Sequence, residues 1–295
     1  MAFLSYRVQE RLFAIVEALP PLRNLVNRWA INRVVNRARA RPHPLSTEAT
    51  YTSWTGLTDR RWSGRHLPPA PRENAPDPAA LTTLFARSDE TQRLCPKSTC
   101  LFPSFAQYLT DGFIRTESGG LEPDEFDPAD RLKRNTSNHE IDLCPLYGRT
   151  RAQTTALRER SNQAGRKGRL KSRIEGDEEY APFLYKDGAI DPQFKDLDPP
   201  LGEERIDDAR RAKLFAFGGD RANSVPQTAM MNTLFLREHN RLAGAIEADN
   251  PEWDDDRVFE TARNTVIVLF IKIVVEDYIN HISPLPFHLR ADPSV

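Results

Sequence analysis

PQTAMMNTLFLREHNRLAGAIEADNPEWDDDRVFETARNTVIVLFIKIVVEDYINHI, residues 226–282, predicts two long helices joined by a short turn. Asn250-Pro251 ends the first helix, because proline cannot continue a helical backbone. The acids from Asp254 to Asp256 suit the start of the second, since negative charge stabilises a helix N-terminus. Apolar residues of the first helix recur at helical spacing, at Met230, Met231, Leu234, Phe235, Leu242 and Ile246. The stretch predicts a fold that is mainly α.

The second helix carries a run of ten residues, 266–275, that is apolar except for Lys272. A membrane-spanning helix needs about 20 predominantly apolar residues. The run is shorter than that and contains a charge. We therefore interpret it as a buried helix of a globular domain.

Four polar residues, Arg237 to Asn240, separate the apolar halves of the first helix. Four consecutive positions cover every face of a helix, including any face against the core. Two interpretations stay open at this point. One is a solvated surface patch, and the other is a buried network in which the four side chains satisfy each other's hydrogen bonds.

Three segments in this order, TLFLREHNRLA (233–243), NPEWDDDRVFETAR (250–263) and KIVVEDYINHIS (272–283), carry a family resemblance. They resemble the superfamily of animal haem peroxidases and cyclooxygenases, above all its bacterial cyclooxygenase-like fatty-acid oxygenases. The resemblance implies a haem-peroxidase-like helical domain and an oxidoreductase of the peroxidase or fatty-acid dioxygenase type. It also implies b-type haem, peroxide or O2 and an unsaturated fatty acid as partners, with roles in fatty acid oxidation and the response to oxidative stress.

Composition bounds the remaining function classes. The formal net charge is −1, which gives no global attraction to nucleic acid or to membranes. The three cysteines, Cys95, Cys100 and Cys144, do not form a disulfide framework, and we interpret them as ordinary thiols of a reducing compartment.

Residues 1–41 form a basic amphipathic arm with eight arginines, no lysine and two glutamates. Arg7 and Arg11 interrupt any signal-peptide core, so secretion is not expected, although the arm would also suit an organelle transit peptide. Pro20-Pro21 is expected to stop the first helix of the arm. The arm is either packed on the domain or a monotopic membrane anchor. Composition alone favours packing, and the resemblance narrows the difference, because cyclooxygenases lie on membranes through N-terminal amphipathic helices. The localisation is predicted to be cytoplasmic or peripheral membrane.

Residues 42–93 are rich in proline and predict a connecting segment, in which Trp54 and Trp62 are expected to pack. In the oxygenase branch an arginine upstream of this segment pairs with the fatty-acid carboxylate. Arg37, Arg39 and Arg41 are the candidates for that role, and the sequence does not choose between them.

Gln107 and Asp111 lie four residues apart in LFPSFAQYLTDGFIRT, residues 101–116, and share a helical face. Alone they would be a surface pair. The segment resembles the distal haem helix, where Gln107 matches the family glutamine and Asp111 stands at the position of the distal histidine. Peroxide cleavage needs a base there, and an aspartate serves only if burial raises its pKa. This departure argues against fast peroxide turnover but not against haem binding, and Gly112 replaces the calcium ligand of the peroxidase branch, so calcium is not expected.

Gly218-Gly219-Asp220-Arg221 resembles the loop that places an arginine over the haem. The resemblance makes Arg221 a catalytic and cofactor-binding residue with Gln107 and Asp111, able to stabilise charge on a peroxide oxygen. Without the resemblance, Arg221 would simply pair with Asp220 or a neighbour. Ser224 suits the N-cap of the long helix that follows.

Residues 149–173 form a basic run that we interpret as a solvated helix and loop, since it lacks the aromatic residues of a nucleic-acid site and acids follow at once. Within it, Gly168 to Lys171 matches a family stretch, as do Asp142 and Tyr147-Gly148 before it. His139-Glu140 offers too few ligands for a metal site, and no metal site is predicted.

The family's proximal haem histidine and catalytic tyrosine lie well beyond the long helices, and neither position occurs here. After His239 the chain has only His281 and His288. Residues 94–295 are therefore expected to be the N-terminal part of the catalytic domain, incomplete at its C-terminus, and the chain alone could lack activity. The alternative function is a non-catalytic truncated relic or a membrane-surface interaction module.

Overall fold

The computed structural model describes residues 5–38, 77–84, 86, 94–113, 141–283 and 287–291. Within them the fold is mainly α, as the sequence predicts. The α-helices are α1 Tyr6–Ala18, α2 Pro20–Ala38, α3 Pro78–Leu84, α4 Leu101–Phe113, α5 Cys144–Tyr147, α6 Arg151–Leu157, α7 Asp208–Arg211, α8 Pro226–Asp249, α9 Asp255–Ile273 and α10 Asn280–Ile282.

Short elements join these helices. Two antiparallel hairpins pair β1 Arg173–Glu175 with β2 Glu178–Tyr180, and β3 Tyr185–Lys186 with β4 Ala189–Ile190. Two 3₁₀ turns follow, at Pro192–Phe194 and Glu203–Arg205, and a π-helix, Val274–Ile279, links α9 to α10. The predicted connecting segment 42–93 lies outside the described residues except for 77–84 and 86. The same holds for Arg39, Arg41, the side chain of Arg37 and the pair His139-Glu140.

Helices α8 and α9 are the two long helices that the sequence predicts. The C-cap of α8 is Asn250, and the N-cap of α9 is Asp254, whose carboxylate accepts a hydrogen bond from the Arg257 amide. The prediction of Ser224 as the N-cap of α8 is wrong, because Val225 takes that position. Pro226 follows as the first helical residue, and its fixed φ starts the helix there.

The core forms where α4, α8 and α9 meet. Tyr108 of α4 stacks on Phe235 of α8 with ring centroids 5.7 Å apart, and Phe235 meets Phe270 of α9 edge-on at 5.3 Å. Only one side of the apolar run in α9 is buried, since Val268 and Ile271 are exposed opposite Phe270. The prediction of a buried helix is therefore correct for one face. No helix of the described residues is long and apolar enough to cross a membrane.

The polar interruption of α8 is a buried network, but its four side chains do not satisfy each other. His239 and Asn240 are 0% and 2% exposed. Both ring nitrogens of His239 are occupied, by the Tyr147 hydroxyl at 2.9 Å and the Gly168 carbonyl at 2.8 Å. Asn240 accepts from the Leu170 amide at 2.9 Å and donates to the Leu170 carbonyl at 3.2 Å. The partners lie about 70 residues earlier in the chain, in the basic run.

The first two residues of the interruption, Arg237 and Glu238, lie partly at the surface. Arg237 pairs with Glu178 at 2.5 Å and donates to the Glu179 carbonyl at 2.6 Å, in β2. Glu238 accepts two hydrogen bonds from Arg241, at 2.7 and 2.8 Å. The solvated interpretation therefore holds in part for Arg237 and Glu238, and the buried interpretation holds for His239 and Asn240.

The basic run is only partly solvated, so its interpretation as a solvated helix and loop needs correction. Gly168 packs on α9 so closely that a Cβ there would lie 2.5 Å from Cγ1 of Val258. Its φ of +68° also favours glycine. Arg158 pairs with Asp255 at 2.7 Å, and its guanidinium lies 4.1 Å from the Phe259 ring centroid. These contacts explain why the run crosses both long helices.

Helices α1 and α2 pack on the segment 287–291. Asn27 forms two hydrogen bonds with the backbone of Arg290, each 2.9 Å long. The rings of Phe13 and Phe287 lie 5.6 Å apart, and Glu17 accepts from the His288 amide at 3.1 Å. As predicted, the first helix stops before Pro20-Pro21.

Replacing Asn240 with alanine tests the network around α8. The change leaves the buried amide and carbonyl of Leu170 without their partner, and we expect the free energy of unfolding to fall by about 2 kcal/mol. Glu238→Ala is the matched control on the same helix, since it breaks a partly exposed pair worth less than about 1 kcal/mol. Urea titration followed by circular dichroism measures both. Equal losses in the two variants would contradict the network.

Candidate functional site

Helix α4 presents Gln107 and Asp111 on the face turned away from the core. Its other face is buried through Phe105, Tyr108 and Leu109. The Tyr108 hydroxyl donates to Asn232 Oδ1 at 2.9 Å, which fixes the rotation of α4 against α8. Gln107 is exposed, and Asp111 follows one helical turn later. Sequence spacing alone therefore predicts the relation between these two side chains.

The loop that carries Arg221 is positioned by a glycine. A Cβ on Gly218 would lie 2.0 Å from the Gly148 amide nitrogen and 2.5 Å from the Cys144 carbonyl oxygen. Such distances are impossible for a side chain, so only glycine allows the loop to pack on the turn after α5. This close approach brings the following residues of the loop toward α4.

Arg221 and Asp111 meet across the two elements. Arg221 Nη1 lies 3.6 Å from Asp111 Oδ1, and the two side chains are 29% and 13% exposed. Burial raises the pKa of Asp111, while the nearby Arg221 guanidinium lowers it and Asp220 raises it further. The loop arginine Arg221 thus faces Asp111, while its position over a haem stays a prediction.

A cavity of about 10 Å³ lies beside this pair, lined also by Pro145, Gly219 and Thr228. Four polar side-chain atoms of its lining form no hydrogen bond to any described residue: Asp111 Oδ2, Arg149 Nε, Arg221 Nε and Thr228 Oγ1. The cavity is the size of one water molecule. A haem does not fit inside this cavity. Gln107 is exposed on the adjacent face of α4.

The donor chemistry of this face fits the distal side of a haem. It combines an amide, a carboxyl group with an unpartnered buried oxygen, and a guanidinium. His239 offers no iron ligand, since both its nitrogens bind protein groups and burial lowers its pKa to about 4. His281 Nε2 lies 2.6 Å from Ser98 Oγ. Among the described residues, no group of three or more His, Cys, Asp or Glu could hold a metal ion.

Cys144 and Thr228 belong to the site but carry no signal in the sequence. Cys144 is buried and its Sγ donates to the Gly112 carbonyl at 2.9 Å, which ties α5 to α4 directly behind Asp111. The interpretation of all three cysteines as ordinary thiols overlooks this role. Only the arrangement of α4, α5 and the glycine loop in space identifies it.

Comparison with known proteins shows the family of the chain. Residues 112–284 match the family described as animal haem peroxidase, which is more than half of the chain. The protein belongs to that family.

Prostaglandin G/H synthase 2 of Bos taurus is 28% identical over 293 residues, which cover 95% of this chain and 44% of that protein. Peroxidase A from Dictyostelium discoideum has a similar fold, with a TM-score of 0.53 and 22% identity over 68% of this chain and 43% of that one. A fatty acid alpha-dioxygenase of Oryza sativa with palmitic acid gives a TM-score of 0.50 and 16% identity over 76% and 36%. The chain spans less than half the length of these proteins.

Arg221→Gln tests the electrostatic pairing at the site. The substitution removes the positive charge that opposes the effect of burial, so the pKa of Asp111 should rise further. Titration of the Asp111 carboxyl carbon by NMR measures the shift. Arg221→Lys keeps the charge and serves as the control, and an Asp111 pKa that does not move in Arg221→Gln would show that the two groups do not interact.

Proposed function

We propose that the chain provides the distal half of a haem site in an oxidoreductase of the peroxidase or fatty-acid dioxygenase type. The observation that carries the proposal is the approach of Arg221 to Asp111 beside the exposed Gln107. The three residues come from a helix and a loop more than 100 positions apart, and the fold brings them to one face. Family membership supports haem as the group that binds there.

Bound haem, of the b-type, would supply the oxidising chemistry with peroxide. Gln107 would hold peroxide or water by a hydrogen bond from its side-chain amide. Arg221 would stabilise negative charge that develops on the departing oxygen, since a preorganised cation costs no reorganisation during the reaction. Asp111 would move the proton from one peroxide oxygen to the other.

Asp111 is a weaker base than the histidine of the family at this position. Its pKa is raised by burial, which brings the carboxyl group toward the range in which it can exchange a proton near neutral pH. The positive charge of Arg221 opposes that shift. We therefore infer slow peroxide turnover with haem binding retained.

The substrate class we propose is an unsaturated fatty acid, oxygenated with O2. The solved fatty acid alpha-dioxygenase with palmitic acid, a saturated chain, supports only the fatty-acid class. Unsaturation is the part of the proposal that rests on the resemblance to cyclooxygenases, which the similarity to prostaglandin G/H synthase 2 supports. No described histidine lines the cavity at Asp111. We propose oxygenation for a whole catalytic domain, because this chain covers only 44% of the similar prostaglandin G/H synthase 2.

A haem titration of the purified chain, followed by absorbance, tests the proposal. We expect a saturable Soret shift near one equivalent. With haem bound, Asp111→His should raise peroxide-dependent oxidation of a reporter dye at least tenfold, because histidine is the better base near neutral pH.

Asp111→Asn is the matched control, since it keeps the shape of the side chain and removes its basicity. It should bind haem and fall below the unsubstituted chain in turnover. Absence of a saturable shift in all three proteins would overturn the proposal for this chain and favour the non-catalytic alternative.

A second function, peripheral membrane contact, is favoured by the arm α1–α2. We propose that the arm rests on anionic lipid while its other side stays docked on residues 287–291. Its arginines suit lipid headgroups and its apolar side chains suit the acyl boundary. The exposed apolar residues are Tyr6, Val8, Leu12, Ile15, Leu19, Leu22, Leu25 and Trp29.

Sedimentation with vesicles of phosphatidylserine and phosphatidylcholine tests the membrane proposal. Binding should weaken as salt rises, and the double variant Leu25→Glu, Trp29→Glu should lower the partition coefficient at least tenfold. Val268→Glu places the same charge on an exposed apolar site of α9 and should leave binding unchanged. Equal effects at both places would argue against a specific role of the arm.

A further inference from the structure

A second concave site lies on the other side of the three-helix core. It is a groove of about 630 Å³ lined by side chains that include Phe102 and Phe105 of α4, Leu234 and Phe235 of α8, and Leu269 and Ile273 of α9. Small-molecule sites typically enclose about 300–1,000 Å³ and are mostly apolar. The lining shares no residue with the cavity at Asp111. The groove is therefore separate from the proposed haem-facing site.

A chain of three side chains that can exchange protons begins beside this groove at Cys95 and ends on its lining at His281. Cys95 Sγ lies 3.3 Å from Ser98 Oγ, and Ser98 Oγ lies 2.6 Å from His281 Nε2. Both Ser98 and His281 line the groove. With each hydroxyl or thiol donating to the next group, a proton can pass from Cys95 through Ser98 to His281.

Packing holds His281 in this position. Its ring lies against that of Phe102 with centroids 4.6 Å apart. It follows the π-helix Val274–Ile279 by two residues, and the wider turn of a π-helix rotates all later side chains about the axis. Such turns often mark functional sites.

The thiol of Cys95 is exposed, and hydrogen bonds favour its ionised form. The Ser98 hydroxyl lowers the pKa of Cys95 most, followed by the backbone amides of Lys97 and Ser98 and by the charge of Lys97. The thiolate is the reactive form of cysteine. An apolar groove beside an activated nucleophile suits a ligand with a hydrocarbon chain and an electrophilic head.

We propose that Cys95 is an S-acylation site that accepts the acyl group of a medium- or long-chain acyl thioester, with the hydrocarbon chain lying in the groove. Cys95 passes its proton through Ser98 to His281, and the thiolate sulfur attacks the thioester carbonyl carbon. A new carbon–sulfur bond forms while the original one breaks, and the departing thiolate takes the proton back from His281. The exchange is between two thioesters and needs no oxidant or reductant.

Acyl transfer from N-acetylcysteamine thioesters to the purified chain tests the proposal. Acetyl and octanoyl thioesters share one reactive head and differ only in chain length. Octanoyl transfer to Cys95 should be at least tenfold faster than acetyl transfer, because only the longer chain buries apolar surface in the groove. Peptide mass spectrometry locates the adduct, and Cys100, an exposed thiol five residues away, should show no such preference.

Three variants separate the groove from the proton relay. Leu234→Glu puts a charge on a half-exposed side chain of the groove and should remove the preference for octanoyl while acetyl transfer continues. Ser98→Ala and His281→Gln should slow transfer of both groups to Cys95 at least fivefold. The three substituted residues lie at or near the surface, and thermal unfolding verifies that the variants fold.

The proposal is overturned if Cys95 and Cys100 acylate at equal rates, or if octanoyl transfer is no faster than acetyl transfer. It is also overturned if Leu234→Glu keeps the octanoyl preference. None of these measurements involves haem, so their outcome is independent of the proposed haem-facing site.

Discussion

The hydrogen bonds from His239 and Asn240 to the segment around Gly168 hold the rest of the fold in place. They fix helix α8 in rotation and in depth, because a buried imidazole and a buried amide cannot be moved without losing their partners. Helix α8 then sets Phe235 against Tyr108, and this aromatic contact orients α4. The direction in which Asp111 points is thus decided by backbone groups on the far side of the core.

Local signals in the sequence predict the elements well and their contacts poorly. Asn250-Pro251 and the aspartates after it locate the turn between α8 and α9, since capping and helix breaking depend on a few neighbouring residues. The spacing of Gln107 and Asp111 likewise follows from helix geometry alone. The hydrogen-bond partners of His239 and Asn240 lie about 70 residues away in the sequence. The four polar residues 237–240 by themselves do not indicate these partners.

The contact between Arg221 and Asp111 also joins segments that are distant in the sequence. It depends on Gly218 lying against Gly148. A glycine permits this backbone contact, but its presence in the sequence does not predict the contact. Resemblance to a family points to each residue separately, and only packing brings them to one face. The same reasoning applies to Cys95, Ser98 and His281, whose last member lies 183 residues from Ser98. Groups of side chains that come from distant segments can be identified only from the folded structure.

The paired hydrogen bonds between Asn27 and Arg290 span 263 positions of the chain. A ribosome adding about 5–20 residues per second needs roughly 10–50 s to synthesise that interval. During this time the arm has emerged while the segment it docks on does not yet exist. The exposed apolar side chains of α1 and α2 therefore stay uncovered for this interval, until Phe287 and Arg290 are synthesised and the arm can dock on them.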